Sequence, residues 1–261
     1  MELGIKGKTA LVLSAGGGLG SAVAVALARE GVRLCLADIS RQALDDTVRR
    51  VQVVGGRAES YVFDLASPTQ TSEAIGEMLS MLDAVDILFN NTGGPPPGPA
   101  YGHVRETWER AFGSMVTPVI GITDLLLPKM CAKGWGRIIT STSSGVESPI
   151  PNLGLSNTAR ISLVGWSKTL AKDVARDGVT VNILVPGRIS TARTRFLDGA
   201  KAAREKRDVQ AVEEESVASI PVGRYGRPEE YADVAAFLAS ERASYITGAM
   251  VRVDGGLIQA L

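Results

Sequence analysis

The feature that most constrains the fold of this chain is a regular alternation of short apolar runs with segments of helical periodicity. The apolar runs are KTALVLS, VRLCLADIS, AESYVFDL, DILFNNTGG, GRIITSTSS, VTVNILVPG and AMVRVDGG. Strands that are buried on both faces read as continuous apolar runs, and they alternate with helices in parallel sheets that helices cover on both sides. The alternation therefore predicts an α/β fold with a doubly wound parallel sheet.

Helical periodicity fills the segments between these runs. It predicts helices in SAVAVALAREG, in RQALDDTVRRVQVVGG, over 69–82, over 107–133, from Ser156 to Arg176 and in PEEYADVAAFLAS. Two segments, GPPPGP at 94–99 and the charged run 193–219, are expected to be irregular. Both follow strands, so they are expected at the carboxyl ends of the sheet, where open α/β sheets bind ligands. No internal repeat or long linker divides residues 1–261, which favours a single domain.

The composition excludes several classes of partner. The 28 basic and 28 acidic side chains cancel, so neither nucleic acid nor an anionic membrane is an expected partner. Cys35 and Cys131 are expected to be reduced, packed thiols, and no metal site is predicted. Because the chain has neither a signal-peptide pattern nor a long uninterrupted apolar span, a cytoplasmic location is expected.

The turn SAGGGLG at 14–20 joins the first strand to the first helix. Glycines in such a turn let the backbone approach a pyrophosphate, which the amino end of the helix then holds. The spacing departs from GxGxxG, so a tight strand-to-helix turn alone would also explain it. Asp38 ends the second strand, where a carboxylate accepts hydrogen bonds from an adenosine ribose and repels a 2′-phosphate, although it could instead cap the next helix. Together these features predict a dinucleotide site that favours NAD over NADP.

Several segments carry a resemblance to a known family. The order and spacing of ALVLSAGGGLG, ADIS, FDLAS, DILFNNTGG, GRIITSTSS, VTVNILVPGRIST and ITGAMVRVDGG resemble those of short-chain dehydrogenases/reductases of the 3-oxoacyl-carrier-protein reductase type. The resemblance covers essentially the whole chain. It implies a single Rossmann domain, NAD(P)-dependent hydride transfer to or from a small carbonyl or alcohol substrate, and a homo-oligomer, usually a tetramer.

The resemblance also assigns cofactor-binding residues position by position. In chain order these are the pyrophosphate turn (Ser14, Gly17, Gly18, Leu19 and Gly20), the adenosine side (Asp38, Ile39, Asp64 and Leu65), the cleft wall (Asn91 to Gly93) and the nicotinamide side (Pro186, Gly187, Ile189 and Thr191). Ser14 departs from the family, which has a glycine at this position. The serine must therefore adopt a backbone that glycine normally serves, and its hydroxyl could reach the phosphates.

The family's catalytic positions match poorly. The substrate-binding serine is kept as Ser143, but the tyrosine is replaced by Ser156, the lysine by Arg160 and the asparagine by Met115. An aliphatic hydroxyl is too weak an acid to replace a phenol, arginine stays protonated, and methionine offers no relay hydrogen bond. The family's usual proton transfer therefore cannot operate with these groups.

Three explanations remain open for this site. His103, which follows Tyr101 just past the proline-rich segment, could supply the proton, or it could be a solvated loop residue. Arg160 with Ser143 and Ser156 could bind an anionic substrate or stabilise an oxyanion, in hydride transfer or in a different reaction. The chain could also bind a dinucleotide without turnover, as a sensor or partner subunit, with Ser156 and Arg160 merely beginning a helix.

Two features favour an enzyme over a binding protein. The segment PGRIST, which resembles the family's nicotinamide-positioning loop, is intact. The charged segment that follows it resembles a substrate lid, which is expected at about 192–220 and is longer than in the family, although a solvated amphipathic helix would have the same composition.

Overall fold

The computed structural model describes residues 2–82 and 84–260, which contain one parallel sheet. Its strands are β1 (Thr9–Leu13), β2 (Arg33–Asp38), β3 (Ala58–Val62), β4 (Ile87–Asn90), β5 (Gly136–Ser141), β6 (Val179–Pro186) and β7 (Met250–Val253). They lie in the order β3-β2-β1-β4-β5-β6-β7, and every pair is parallel. The predicted doubly wound parallel sheet is confirmed.

The strand order reverses at β1. The chain moves outward from β1 through β2 to β3, then returns to place β4 on the other side of β1. The connections on the two sides of this point leave the sheet in opposite directions, which opens a crevice above the carboxyl ends of β1 and β4.

Helices cover both faces of the sheet. They are α1 (Gly18–Arg29), α2 (Arg41–Val53), α3 (Pro68–Met81), α4 (Arg105–Met115), α5 (Thr117–Lys133), α6 (Gly154–Val174), α7 (Ala192–Glu205), α8 (Val209–Ala218) and α9 (Pro228–Leu238). One apolar cluster joins α1, α2 and α9 to one face, and a second joins α3, α5 and α6 to the other.

The central strands supply side chains to both apolar clusters. In β1, Val12 packs in the cluster of α1, α2 and α9, whereas its neighbours Leu11 and Leu13 pack in the opposite cluster. In β2, Leu34 and Leu36 likewise alternate with Cys35, and burial raises the pKa of the Cys35 thiol to about 12. This double burial is the physical reason that the strands read as continuous apolar runs.

Two of the predicted elements need correction. The single helix expected over 107–133 is two helices, α4 and α5, which are divided at Val116. Pro118 in the first turn of α5 has no N–H to donate to the preceding turn, so the helical hydrogen bonding is interrupted there. The irregular structure expected over 193–219 is wrong, because α7 and α8 occupy most of this segment. Its Ala, Arg, Lys and Glu residues are strong helix formers, and Thr191 and Asp208 cap the two helices.

The stretch Arg105–Lys133, which contains α4 and α5, is long and apolar enough to cross a membrane by length and composition. In the structure, 44% of its most apolar window is buried inside the protein. Ile122, Leu126 and Met130 pack in the same cluster as α3 and α6. A core helix meets the same criterion, so this stretch is weak evidence for a membrane span.

Two glycines at the starts of β5 and β6 provide a test of this packing. Gly134 and Gly178 both have a left-handed φ, of 65° and 72°. A Cβ on Gly178 would lie under 3.0 Å from the Gly134 carbonyl oxygen, whereas a Cβ on Gly134 would meet nothing within 4 Å. We expect Gly134→Ala to lower the free energy of unfolding by about 1 kcal/mol through backbone strain. Gly178→Ala should lower it by about 3 kcal/mol or more, because the clash is added. Urea unfolding measures both, and equal losses would contradict this account.

Candidate active site

Two adjoining cavities lie at the carboxyl ends of the strands, beside the crevice between β1 and β4. The outer cavity, of about 730 Å³, is lined by Asp38, Asp64, His103, Arg110 and others. The inner cavity, of about 300 Å³, is lined by Ser143, Ser156, Arg160, Thr191 and others. Ser14, Gly17, Gly93 and Gly94 line both, so the two cavities meet along the glycine turn and the segment after β4.

Fifteen of the sixteen residues predicted to contact the cofactor line one of these two cavities, and Gly20, buried in the first turn of α1, lines neither. The outer cavity receives Asp38, Ile39, Asp64 and Leu65, and the inner cavity receives Gly18, Leu19, Asn91, Thr92, Pro186, Gly187, Ile189 and Thr191, while Ser14, Gly17 and Gly93 line both. They come from the ends of five strands, β1, β2, β3, β4 and β6, and the turns that follow them. The structure therefore brings together positions that lie far apart in the sequence, and their individual roles stay predictions.

The turn at 14–20 has the backbone expected for it. Ser14 has a φ of 50°, in the left-handed region that favours glycine, so it adopts the strained backbone that the sequence predicts. Gly17 donates its N–H to the Ser14 carbonyl oxygen at 3.1 Å, and α1 begins at the next residue with no side-chain cap. Because the first amides of a helix lack intrahelical partners, this end of α1 is suited to an anion.

Asp38 is fixed by backbone donors at the end of β2. Its Oδ2 accepts from the Gly16 N–H and its Oδ1 from the Ser40 N–H, each at 3.0 Å. The alternative role of Asp38 as a helix cap is wrong, since Ser40 caps α2 by accepting from the Ala43 N–H. The carboxylate is therefore held at the wall of the outer cavity by the same turn that leads into α1.

The residues predicted on the nicotinamide side lie at the end of β6 and in the loop that follows it. Gly187 donates its N–H to the Val253 carbonyl oxygen at 2.9 Å, which ties this segment to β7. Thr191 caps α7, and its Cγ2 would lie 2.8 Å from a Cβ placed on Gly18. This close approach brings the loop after β6 against the first residue of α1.

Ser143 and Ser156 line the inner cavity together. The Ser143 Oγ accepts from the Gly145 N–H at 3.1 Å. Ser156 is buried and makes no side-chain hydrogen bond to the described residues. It does not cap α6, because that helix begins at Gly154 after Leu153. Ser156 therefore lies in the first turn of α6 without capping it, and its hydroxyl is left for the cavity.

Arg160 lies one helical turn after Ser156 and is buried beneath the inner cavity. Its Nη2 donates to the carbonyl oxygens of Thr92 and Gly93, both at 3.1 Å, and its Nη1 donates to that of Ser141 at 3.3 Å. Burial and, to a smaller extent, the nearby charge of Arg193 together lower the pKa of this guanidinium to about 10. Arg160 thus joins the carboxyl ends of β4 and β5 and keeps its positive charge at neutral pH.

His103 is placed apart from the two serines. It lines the outer cavity, whereas Ser143 and Ser156 line the inner one. The ring packs edge-on against Trp108, and its Nε2 lies 2.8 Å from the Pro99 carbonyl oxygen, which requires Nε2 to carry the proton. Tyr101 is 80% exposed and lines neither cavity.

Met115 serves packing at the position where the family keeps an asparagine. It is buried in an apolar cluster with Val116, Val119, Ala159 and Leu163, and it lines neither cavity. This position therefore offers no polar group to the site. Within residues 2–82 and 84–260, no cluster of three or more His, Cys, Asp or Glu side chains is arranged to hold a metal ion.

Two arginines of the site were not singled out from the sequence. Arg188 contacts the buried carboxylate of Asp198 on α7 and donates to the Ser216 hydroxyl of α8 at 2.7 Å. Arg193, also on α7, donates to the Pro95 carbonyl oxygen at 2.9 Å. Both line the inner cavity. The only signal for them was their place just after β6, within a segment whose many charges resemble a solvated helix surface.

Comparisons with known proteins agree with this geometry. The family model described as enoyl-(acyl carrier protein) reductase matches residues 14–258. The 3-oxoacyl-[acyl-carrier-protein] reductase of Thermotoga maritima is 31% identical, over 97% of this chain and 99% of the relative.

Two solved structures have the same overall fold as this chain. L-sorbose reductase from Gluconobacter frateurii, complexed with NADPH and L-sorbose, superposes with a TM-score of 0.93 at 29% identity, covering all of both chains. An NAD+-bound xylitol dehydrogenase superposes with a TM-score of 0.88 at 28% identity, covering 97% of this chain and 99% of the other.

The positive φ of Ser14 predicts that the turn at 14–20 is strained, and substitutions at Ser14 can test this. We expect Ser14→Gly to raise the free energy of unfolding by about 0.5–1 kcal/mol, because glycine adopts a positive φ without a Cβ clash. Ser14→Ala is the matched control, since it removes the hydroxyl but keeps the Cβ and should leave stability nearly unchanged. Urea unfolding measures both variants. A gain in Ser14→Ala equal to that in Ser14→Gly would assign the effect to the hydroxyl instead.

Proposed function

Because the chain belongs to the short-chain dehydrogenase/reductase family, we propose that it transfers hydride between a nicotinamide dinucleotide and a small carbonyl or alcohol substrate through a non-standard site. The observation that carries this proposal is the convergence of fifteen of the sixteen predicted cofactor residues on two adjoining cavities. The cavities lie at the point where the strand order reverses, which is the ligand site of doubly wound sheets.

The residues present fit a dinucleotide. The uncapped amino end of α1 suits the pyrophosphate, and the turn before it brings the backbone close, because a Cβ on Gly20 would lie under 3.0 Å from the Ser14 carbonyl oxygen. The adenosine half would occupy the outer cavity between Asp38 and Leu65, and the nicotinamide half would occupy the inner cavity near Thr191. Ile39, which is 67% exposed at the rim of the outer cavity, would pack against the adenine.

We propose that NAD is preferred over NADP. The Asp38 carboxylate is oriented by two backbone N–H groups, so it can accept from ribose hydroxyls and would repel a 2′-phosphate. The L-sorbose reductase complex contains NADPH, which argues against this preference. The xylitol dehydrogenase structure contains NAD+, which agrees with it.

The inner cavity suits the oxygen of a carbonyl group. When bound, a reduced nicotinamide would supply hydride, with its two electrons, to the carbonyl carbon, and the carbonyl oxygen would gain negative charge. The hydroxyls of Ser143 and Ser156 would donate hydrogen bonds to that oxygen, and the Arg160 charge beneath them would stabilise it. Water or His103 would supply the proton that completes the alcohol. His103 would have to act through water, because it lines the other cavity.

A second function is favoured by a specific observation. Arg160 already donates to three backbone carbonyl oxygens, and Ser156 supplies no group that titrates near neutral pH. Such a site would also suit a protein that binds the dinucleotide without turnover, as a sensor or partner subunit.

The remaining features of the proposal come from the family and the fold. Residues 1–261 would act as a single Rossmann domain, and the segment at about 192–220 would close over the inner cavity as a substrate lid, since Arg193 and Leu197 of α7 line that cavity. We further propose a cytoplasmic homo-oligomer, a tetramer by resemblance, with no nucleic-acid or membrane partner.

Cofactor preference is tested at Asp38. We expect Asp38→Ala to weaken NADH binding about 10-fold, because hydrogen bonds to a charged group are lost, while NADPH binding stays the same or strengthens, because the repulsion of the 2′-phosphate is removed. Asp38→Asn is the control, since it removes the charge but retains an acceptor oxygen for the turn. Isothermal titration calorimetry with both dinucleotides measures these affinities. Equal losses of NADH and NADPH would remove the selectivity argument, and no NADH binding to the native protein at millimolar ligand would overturn the cofactor assignment.

Hydride transfer is tested with NADH that carries deuterium at C4. We expect the native protein to move deuterium from one face of the nicotinamide ring to a carbonyl carbon in a panel of small ketones and oxo acids. Mass spectrometry of the alcohol products detects the transfer. NADH binding without deuterium in any product would favour the sensor or partner subunit.

The same assay tests the source of the proton. His103→Gln should abolish deuterium transfer if His103 supplies the proton, and unchanged turnover would assign the proton to water.

A further inference from the structure

The inner cavity has an unusual balance of charge. Three arginines, Arg160, Arg188 and Arg193, are among its lining residues, and none of the described residues that line it is an aspartate or glutamate. The positive charge of Arg188 is neutralised by an ion pair with the buried carboxylate of Asp198, which does not line the cavity. The other two arginines have no comparable neutralising group.

Arg160 and Arg193 form no ion pair with any carboxylate in residues 2–82 and 84–260. The protein partners of Arg160 are backbone carbonyl oxygens, and those of Arg193 are the Pro95 carbonyl oxygen and the ring of Phe196, 5.4 Å from its guanidinium carbon. The two cations are close enough for Arg193 to lower the pKa of Arg160. Two desolvated like charges without a counter-ion are costly, and a bound anion would relieve that cost.

The position of Arg193 separates it from the predicted pyrophosphate site. Its Nη2 would lie 2.8 Å from a Cβ on Gly94, and it bonds to the next residue of the segment after β4. It therefore spans from α7 to the proline-rich segment, whereas the pyrophosphate is expected at the turn 14–20 and the amino end of α1. Arg193 is therefore positioned to bind an anion between α7 and the proline-rich segment.

The rest of the wall fits a short organic acid. Ile150, Leu153 and Leu197 supply apolar surface, and the buried hydroxyls of Thr92 and Thr142 have no hydrogen-bond partner among the described residues. A cavity of about 300 Å³ that must also hold a nicotinamide ring leaves room for a small molecule only.

We propose that the substrate is a short oxo acid or hydroxy acid whose carboxylate is bound by Arg193. This inference rests on the proposed hydride transfer and names the substrate class of the same site. The guanidinium would donate two parallel hydrogen bonds to the carboxylate, while the reacting oxygen lies at Ser143 and Ser156. In reduction, hydride reaches the carbonyl carbon, the π electrons of the C=O bond move to oxygen, and that oxygen takes a proton from water.

The test compares acids with their neutral esters. The probes are pyruvate, acetoacetate and 4-oxopentanoate with their methyl esters, each added to the NADH-bound protein, with nicotinamide fluorescence and NADH oxidation as the two readouts. We expect at least one acid to bind and react at least 10-fold better than its ester. Arg193→Gln should remove this preference through KM and leave NADH affinity unchanged, and Arg193→Lys should retain part of it.

Arg195→Gln is the matched control, because Arg195 is exposed on the same helix, carries the same charge and lines neither cavity. It should keep the acid preference, and thermal unfolding of all variants should agree within a few degrees. NADH binding with no acid preferred over its ester would overturn the inference, as would an equal loss in Arg195→Gln. Weaker NADH binding in Arg193→Gln would instead assign Arg193 to the cofactor phosphates. Failure of the native protein to bind NADH would overturn the proposed function itself, which is a separate result.

Discussion

Burial of β1 and its neighbours on both faces is the constraint on which the rest of the molecule depends. A strand that is covered on both sides cannot satisfy its backbone with water, so it must pair with parallel neighbours and be covered by helices above and below. Val12 and Leu11 show this directly, since they enter opposite apolar clusters. The strand order that results reverses at β1, and the crevice there is where the glycine turn, Asp38 and the segment after β4 come together.

The site proposed for this crevice would combine the family's cofactor cleft with an altered reaction centre. A tyrosine and lysine at positions 156 and 160 would exchange protons with the substrate, whereas the serine and arginine that are present can only donate hydrogen bonds and supply charge. Arg160 directs its donors to the ends of β4 and β5 and so takes part in the wall of the cavity. In the proposed function, positive charge would replace acid–base chemistry as the main property of this centre, and an anionic substrate would suit it.

Much of the fold and of the cleft could be predicted from the sequence. Apolar runs and helical periodicity are local patterns, and they located every strand and most helices. The errors have local physical causes as well: the break at Val116 depends on one missing N–H at Pro118, and the charged segment after β6 was expected to be irregular although its residues favour helices. The positions that line the two cavities were predictable because they end or follow apolar strands, and such positions meet at one edge of a parallel sheet.

The sequence alone determined that the chain is a doubly wound α/β protein, that Ser14 takes a glycine backbone, and that Ser156 and Arg160 cannot carry out the family's proton transfer. Each of these follows from residue type, spacing or resemblance. Only the tertiary structure decided which side chains share a cavity. It placed His103 apart from Ser143 and Ser156, bound Arg160 to backbone carbonyls, and brought Arg193 across from α7 to the inner cavity. These outcomes depend on contacts between segments distant in the chain, and on which charges find a counter-ion, which no local pattern records.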